Sequence, residues 1–578
     1  MPERALEKRW VLYPQNSEKS LTLSKALNIT LSTAQALINR GLCDIASAET
    51  FLNPSLSSLS SPFLLKDMDS AVSRILSAIK DGSLITIYGD YDVDGTTATS
   101  LLLHFFRKIG ANCNYYIPHR MDEGYGLNSD AVKTLAKKDT QVIITVDNGI
   151  SAVEEIKLAS CLGMDVIVTD HHQLPPQVPP AFAIINPQQD DCTYPSKDLC
   201  GVGIAFNLAI AIRSRLREAG FWKETKEPNM KRYLDLVALG TIADIVPIRG
   251  DNRILTVFGL KELSSGKRAG MRALGKVSGR PLEDANVGTV GFQYGPRQNA
   301  AGRLTRADAG VRLLVTADEE EADMLAAELD EENRERRKIE TEILLNALEM
   351  IEKDELHSRP AIVLFSENWH PGVIGIVASR IVEKYYRPAI LLTLVNGVAK
   401  GSARSIEAFH LFKGLESCAD HLISFGGHKY AAGLSIKPDS IEDFRIAFAN
   451  IVESTVKEED FIPSMKIDGT IALDEINEEL INELARLSPF GPSNAEPVFS
   501  AHNVEVISVN ILKDAHLKLK LSQDRKVLDA IGFNMSEKKV TAGDRISIAF
   551  SPSINEWNGR RAVQLKLKDI KLGVGEKD

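Results

Sequence analysis

Residues 83–97 read SLITIYGDYDVDGTT, in which an apolar, β-branched run leads into a loop with three aspartates. The apolar residues do not alternate with polar ones, which is typical of a strand buried on both faces of a parallel sheet. Residues 141–146 and 165–169 have the same character. Helix-like stretches separate the three runs, and strands alternating with helices predict an α/β fold built from βαβ units.

The predicted helices of this region follow from the spacing of their apolar residues. They cover residues 96–109, 129–138 and 151–162. Thr96 and Ser151 stand at the start of two of them, and both are residue types that cap helix N-termini.

Ionisable side chains follow each predicted strand, and ligands of such sheets bind beyond the carboxyl ends of the strands. The set comprises Asp90, Asp92, Asp94, Asp147, Asp170, His171 and His172. A single aspartate after a strand is usually a turn or cap residue. The five carboxylates of this set, close together at one sheet edge, would repel each other unless a divalent cation were bound. Mixed Asp and His ligands suit Mn²⁺ or Mg²⁺, and the lack of Cys in the loops argues against structural zinc.

A fourth stretch, LGTIADIVP at 239–247, has helical spacing and contains Asp244. Together with GDYDVDGTTAT, TVDNG and TDHH, it resembles the successive motifs of the DHH phosphoesterase superfamily. The later motifs NAAGR at 299–303, GSARS at 401–405 and GGH at 426–428 resemble those of the RecJ family of single-strand-specific DNA exonucleases. The resemblance covers roughly residues 70–570.

The resemblance implies roles for individual residues at a centre of two divalent ions, Mn²⁺ or Mg²⁺. The implied metal ligands are Asp90, Asp92, Asp94, Asp147, His171 and Asp244. Asp90 has an alternative role in orienting the loop. Asp170 would orient neighbouring groups, and His172 would act on the scissile phosphate or the leaving oxygen. Two metals can clamp both oxygens of the reaction and activate water, so no Ser or Cys nucleophile is needed.

The resemblance also implies contacts to the phosphates of a strand. The expected substrate-binding residues are Arg120, Asn299, Arg303, Ser402, Arg404 and His428. Ser402 and Arg404 would meet a terminal 5′ phosphate, because the planar guanidinium of arginine can bind two phosphate oxygens. For each of these arginines, and for Arg120 above all, a surface salt bridge is the alternative interpretation. His428 is expected to face the cleft in an undefined role.

The length of 578 residues predicts three to four domains. We expect an N-terminal extension packing on the catalytic domain, the catalytic domain, a basic segment with a long helix over 318–355, a second α/β domain and an OB-like β-barrel. Their predicted ranges are 1–70, 71–260, 261–355, 356–455 and 456–578. Strands are expected at 360–365 and 388–394, and five short strands follow residue 463.

The predicted barrel carries basic and aromatic side chains that would suit single-strand binding, although a purely structural barrel is the alternative. They are Lys518, Lys520, Phe533, Trp557, Arg560 and Arg561. The net charge of −10 opposes a general DNA-coating protein. Residues 264–281 hold five basic residues and no acid, however, and predict either a basic groove or a solvated loop.

Six scattered cysteines and the lack of an apolar stretch of about 20 residues predict a reduced, cytoplasmic protein without a membrane segment. The resemblance implies a monomeric, metal-dependent exonuclease that degrades single-stranded DNA from 5′ to 3′ into 5′ mononucleotides. It would act in DNA recombination and repair, with single-strand-binding protein and a helicase as partners.

Two other functions remain open at this point. A DHH phosphodiesterase for short oligonucleotides or cyclic dinucleotides, or a pyrophosphatase, would usually be a shorter chain without the barrel. A catalytically inactive relative that scaffolds replication proteins would be expected to have lost metal ligands, and every implied ligand is present in this sequence.

Overall fold

A parallel five-stranded sheet lies at the centre of the region that carries the acidic loops. In spatial order its strands are Cys113–Tyr116, Leu84–Tyr88, Thr140–Val146, Asp165–Thr169 and Ala183–Ile185. The computed structural model describes residues 7–572 except 121, 224, 305, 306 and 558. The three predicted strands are confirmed, and their residues are largely buried because helices cover the sheet.

Helices follow these strands as predicted, but they begin at other residues. Their bounds are Val93–Lys108, Ser129–Lys137 and Val153–Cys161. The Oδ1 atom of Asp92 accepts the N–H of Gly95 at 3.0 Å and caps the first helix. The prediction of Thr96 and Ser151 as caps is therefore wrong. The acidic loop already supplies a stronger acceptor three residues before Gly95, and the third helix starts after Ala152 without a side-chain cap.

The rest of this compact unit, which contains residues 49–335 and 489–495, is mainly helical. Its further helices include Met68–Lys80, Gly201–Glu218, Leu234–Ala243, Gly250–Ser264, Ala269–Ser278, Gly295–Leu304 and Asp308–Val315. A π-helical turn, Val290–Tyr294, precedes Gly295. The long helix, whose first half belongs to this unit, is confirmed with the bounds Glu319–Lys353; its 35 residues correspond to about 50 Å.

The basic stretch 264–281 does not form an open cationic groove, because four of its five basic side chains pair with acids. The pairs are Lys267–Glu262, Arg268–Asp235, Arg272–Glu319 and Lys276–Asp323. The groove interpretation is therefore wrong, since most of the positive charge is neutralised within the unit. The alternative of a solvated loop is also wrong, because Ala269–Ser278 is a helix with a buried face.

The second compact unit comprises residues 1–48, 336–488 and 496–578 as far as they are described. Its α/β part has a mixed sheet in the order Ile362–Phe365, Ala389–Val395, Val398–Arg404, Ala431–Ile436 and Leu422–Gly427. The helices Ile374–Tyr385, Leu411–Glu416 and Ile441–Thr455 accompany it. The two predicted strands at 360–365 and 388–394 are confirmed.

The predicted barrel is also confirmed. Its strands are Phe499–Leu512, His516–Gln523, Lys526–Gly532, Arg545–Trp557 and Arg560–Leu572. The first strand pairs with both the second and the fourth, and this closes the ring. The side chains of Trp557 and Arg560 lie outside the described residues, whereas Lys520, Phe533 and Arg561 are exposed.

The N-terminal segment differs from its prediction. Strand Arg9–Leu12 pairs in parallel with Ser464–Ile467, and the indole N–H of Trp10 donates to Asp569 at 2.9 Å. Helices Ser17–Leu27 and Leu31–Asn39 follow it. Residues 9–39 therefore belong with the C-terminal residues, and the expected packing on the catalytic domain is wrong for them. Residues 49–70 belong to the catalytic unit as expected, and Leu65 lies in its core. Within the described residues, no helix has the length and hydropathy to cross a bilayer.

Candidate metal centre

The loops beyond the carboxyl ends of the central strands bring carboxylate and imidazole atoms together. Three groups have potential ligand atoms that all lie within 4.8 Å of one another. They are Asp147, His171 and His172; Asp94, His171 and Asp244; and Asp90, Asp92 and Asp147. These groups share members, so they form one continuous cluster. The predicted convergence of the loops is confirmed, and Asp244 joins them from the end of helix Leu234–Ala243.

Asp94 is held by the N-terminus of another helix. Its carboxylate accepts the backbone N–H groups of Gly201 at 2.5 Å and Val202 at 2.8 Å. Burial and the charge of Asp92 raise the pKa of Asp94 to about 7, although these two hydrogen bonds act in the opposite direction. The helix dipole thus partly compensates the cost of burying the charge of this carboxylate, which is 1% exposed.

Asp92 and Asp90 differ in how their oxygen atoms are used. Asp92 caps its helix through Oδ1. The Oδ1 atom of Asp90 is buried and has no hydrogen-bond partner. Burial and the neighbouring charge of Asp92 raise the pKa of Asp90 well above its usual value. A bound cation would satisfy this oxygen, so the structure favours Asp90 as a ligand over Asp90 as an orienting residue.

Asp147, His171 and Asp244 form a chain of close contacts. The Nε2 atom of His171 lies 3.1 Å from an oxygen of Asp147 and 3.7 Å from one of Asp244. Burial, followed by the charge of Asp94, raises the pKa of both carboxyl groups. One imidazole between two such carboxylates is a donor arrangement that a divalent cation would stabilise.

Asp170 acts inside the cluster as a hydrogen-bond acceptor. One of its oxygens accepts the N–H of Ile150 at 2.9 Å, and the other accepts the backbone N–H groups of His171 and His172. The second oxygen also lies 2.7 Å from Nδ1 of His172. Burial raises the pKa of Asp170, but the contact with His172 outweighs it and the net shift is downward. Its position matches the predicted orienting role, since both oxygens are in use.

The surroundings of His172 favour its protonated form. Burial lowers its pKa, but the bond to Asp170 and the surrounding carboxylates raise it to about 9. The imidazole is therefore charged at neutral pH, with Nδ1 facing Asp170. A charged imidazolium can donate a hydrogen bond to a phosphate oxygen.

The donor set fits a divalent cation of the magnesium or manganese type. It consists of buried carboxylate oxygens and an imidazole, and several carboxyl pKa values are raised. Two of its buried oxygens, Oδ1 of Asp90 and Oδ1 of Asp147, have no hydrogen-bond partner. Hard oxygen ligands with one or two imidazoles suit Mn²⁺ and Mg²⁺.

Three predicted substrate residues lie at this centre. The guanidinium carbon of Arg120 is 4.9 Å from the ring centre of Tyr91 in the aspartate loop. Asn299 accepts the N–H of Val93 at 2.9 Å and so supports that loop from helix Gly295–Leu304. A side chain at Gly302 would come within 2.4 Å of the Tyr91 carbonyl, so the helix lies directly on the loop. Arg303 follows in its last turn.

The other predicted substrate residues belong to the second unit. Arg404 donates to the hydroxyl of Ser402 at 3.2 Å on strand Val398–Arg404. A side chain at Gly375 would come within 2.7 Å of that hydroxyl, so the N-terminus of helix Ile374–Tyr385 lies against both residues. His428 is in the turn before Ala431, the residue that pairs with Arg404. Within their own unit, these three predicted residues lie at one end of the sheet.

Sequence reasoning missed two contributors. Tyr125 donates its hydroxyl to the backbone carbonyl of Asp147 at 3.1 Å and lies 3.4 Å from His172. The N–H groups of Gly201 and Val202 belong to a helix more than 100 residues from Asp94 along the chain. Tyr125 stands between Gly124 and Gly126, and this pattern could have indicated a functional loop. No residue type in the sequence indicates which backbone N–H groups will bind a carboxylate.

Comparisons with known proteins identify the family of three parts of this chain. Family models match as the DHH family N-terminal domain at residues 84–241, the DHHA1 domain at 358–454 and the RecJ OB domain at 467–569. The single-stranded-DNA-specific exonuclease RecJ of Bacillus subtilis (strain 168) is 42% identical over 98% of this chain and 71% of its own length. That of Escherichia coli (strain K12) is 37% identical over 88% of this chain and 90% of its own length.

Solved structures show the same architecture. RecJ from Thermus thermophilus in complex with Mn²⁺ has a TM-score of 0.84 and 28% identity, covering 98% of this chain and 80% of that one. The same protein in complex with Mg²⁺ has a TM-score of 0.78 with 28% identity, covering 98% of this chain and 79% of that one.

Proposed function

Because this chain belongs to the RecJ family of single-stranded-DNA-specific exonucleases, we propose that it hydrolyses single-stranded DNA with the help of two divalent ions, Mn²⁺ or Mg²⁺. The observation that carries the proposal is the convergence of eight Asp and His side chains at one sheet edge, seven of them in the three groups that could hold a metal. When bound, two such ions stabilise charge on the attacking and leaving oxygens and activate water.

The residues of the centre would have three roles: binding the ions, orienting other side chains and donating a hydrogen bond to the substrate. Asp90, Asp92, Asp94, Asp147, His171 and Asp244 would hold the ions. Asp170 fixes the ring of His172 through Nδ1. His172 carries a proton at Nε2 and would donate it, as a hydrogen bond, to the scissile phosphate or the leaving oxygen. Tyr125 would keep the backbone of Asp147 and the ring of His172 in place.

The direction of degradation is part of the proposal. Ser402, Arg404 and the N-terminus of helix Ile374–Tyr385 together provide a hydroxyl, a guanidinium and backbone N–H groups. This chemistry suits a terminal 5′ phosphate, and each charge-assisted hydrogen bond contributes about 1.5–3 kcal/mol. A terminus held in this way would lead to 5′ mononucleotides and 5′ to 3′ polarity. Arg120, Asn299, Arg303 and His428 would contact further parts of the strand.

The barrel favours a polymer over the small substrates of other DHH phosphodiesterases. Its match to the RecJ OB domain and its exposed Lys520, Phe533 and Arg561 support strand binding. An inactive scaffold is disfavoured because all proposed ligands converge. We further propose that the enzyme acts in the cytoplasm as a monomer in DNA recombination and repair, and that it meets single-strand-binding protein and a helicase there. This cellular role rests on family resemblance.

Digestion of end-labelled single strands tests the proposal. The full chain with Mn²⁺ or Mg²⁺ should release the label of a 5′-labelled strand as a mononucleotide at early times, while a 3′ label stays in long products. A duplex with blunt ends should be resistant. Chelator and the variant Asp147→Asn serve as matched controls, and early release of the 3′ label would overturn the proposed polarity.

A further inference from the structure

The residue after Asp244 has an unfavourable backbone conformation. Ile245 has a φ of +60°. Among the described residues it is the one β-branched residue with a positive φ. Such a conformation is a genuine outlier for a β-branched side chain. Glycine or asparagine would make the same turn without this conflict. The side chain of Ile245 is nevertheless 71% exposed, so burial in the core does not explain its retention.

A second exposed apolar residue lies next to the same helix end. Phe292 is 75% exposed and belongs to the π-helical turn Val290–Tyr294, whose first and last residues are buried. Single π-helical turns occur frequently at functional sites. A side chain at Gly291 would lie 3.8 Å from Ile242, and one at Gly295 would lie 3.4 Å from Ala243. The π-helical turn therefore packs on the last turn before Asp244.

Ile245 and Phe292 share two properties, a high exposure and a place beside the same helix end. They are the two most exposed large apolar side chains of the described chain, and the next is Leu345 at 63%. Both flank the end of helix Leu234–Ala243, where Asp244 enters the metal cluster. An unusual backbone conformation and a π-helical turn thus present apolar groups beside the same ligand.

We infer that Ile245 and Phe292 form an apolar rim that packs against a nucleobase of the strand being cut. The inference rests on the proposed function, because the metal centre would hold the phosphates beside this rim. Every base has an apolar face that stacks on aromatic side chains without regard to sequence. In a duplex these faces are covered by their neighbours, whereas a single strand can expose them. The rim therefore selects single strands by the base itself.

A combination of protein and substrate changes tests this contact. The variants are Phe292→Ala, Phe292→Tyr and, as a matched control, Leu345→Ala, which changes a comparably exposed residue of the other unit. Each is assayed on a single strand with all bases and on one whose terminal nucleotides are abasic. Phe292→Ala should lower kcat/KM about tenfold on the complete strand, the effect expected for the loss of one stacked base.

On the abasic strand, Phe292→Ala and the wild-type enzyme should be equally fast, and Phe292→Tyr should retain activity on both strands. Leu345→Ala should behave as wild type. Equal losses on both strands, or no loss at all, would overturn the inference. If the wild-type enzyme cuts neither strand, the proposed function itself fails. Unchanged thermal unfolding of Phe292→Ala verifies that folding is intact.

Discussion

Asp147 combines an unusual backbone with an unusual charge. Its φ of +63° places it in the left-handed region, and its side chain is buried among four other carboxylates and His171. Aspartate tolerates this conformation better than most residues. The ionised carboxylate of Asp147 therefore destabilises the metal-free protein, whereas a bound cation would stabilise it.

Replacing Asp147 with Asn should abolish hydrolysis and remove at least one bound ion, because it deletes a shared anionic ligand. The metal-free variant should unfold at a temperature equal to or above that of the metal-free wild type at pH 8, since a carboxylate with a raised pKa is lost. Metal content and unfolding in chelator check both parts. Retained activity would exclude Asp147 as a ligand.

Replacing His171 and replacing His172 should have different effects on metal binding and on the rate of cleavage. His171→Ala should lose metal, because Nε2 of this residue lies between Asp147 and Asp244. His172→Ala should bind metal nearly as well as the wild type but cut at least tenfold more slowly, since its Nδ1 is already engaged by Asp170. Metal titration and single-turnover rates distinguish the two roles; equal loss of metal would refute the division.

Asp170→Asn should change the pH profile of the reaction. Asp170 raises the pKa of His172, which is about 9 in the wild type and has an ordinary value of 6.5. The imidazolium is the active form below its pKa, so wild-type activity should extend to a higher pH than the activity of the variant, which lacks the charge of Asp170. The variant should lose activity as the pH rises above roughly 7. A profile identical to that of the wild type would show that His172 does not act as the proton carrier.

At the scale of elements, helix Ile374–Tyr385 and strand Val398–Arg404 form the proposed 5′ phosphate site. Arg404→Ala should lose roughly 10- to 100-fold in activity on 5′-phosphorylated strands, and much less on 5′-hydroxyl strands. Arg404→Lys is the matched control, because it keeps the charge but not the planar guanidinium. Parallel rates on the two substrates check this, and an equal loss on both contradicts the assignment.

The barrel should set the salt dependence of strand binding. Changing Lys520 and Arg561 to Gln removes two exposed charges. The slope of log affinity against log salt should become shallower by about 1.4 units for a single strand. The double change of Lys19 and Lys25 to Gln, on an N-terminal helix, is the control of equal charge. Fluorescence anisotropy over a salt series measures both, and equal slopes for the two variants would exclude the barrel surface.

Several elements could be predicted because their signals are local. The buried strands follow from apolar runs, and the metal loops follow from their place after the strands. The cap of helix Val93–Lys108 was missed because Asp92 has two roles: it belongs to the acidic loop and it also accepts the N–H of Gly95 at the start of the helix. The basic stretch was misinterpreted because its partners, Glu319 and Asp323, lie in another helix. Contacts between distant residues, including those of Asp94 with Gly201 and Val202, follow from packing, which periodicity does not encode.

At the scale of the whole molecule, the metal cluster couples stability to pH. The folded pKa of Asp94 is raised from 3.8 to about 7, and those of Asp90, Asp147 and Asp244 are also raised. The stabilisation by their protonated forms is complete below about pH 4 and is lost as the pH rises through the folded pKa values.

In chelator, the melting temperature should therefore fall by several degrees between pH 5.5 and 8 through this contribution. Saturating Mn²⁺ should remove the fall, since ions bind the deprotonated centre. The variant Asp94→Asn should show a smaller fall in chelator than the wild type. Calorimetry at the two pH values measures this, and a wild-type protein that becomes more stable towards pH 8 in chelator would contradict it.

The parallel pairing of Arg9–Leu12 with Ser464–Ile467 has a consequence for synthesis of the chain. Strand Arg9–Leu12 is synthesised long before its partner, which follows more than 450 residues later. The main strands and helices of the catalytic unit lie between the two. Domains generally fold as they emerge, and closing so large a loop is slow. A nascent chain would thus complete the acidic cluster before the unit around Ser402 and Arg404, so the proposed 5′ phosphate site would form after the proposed metal centre.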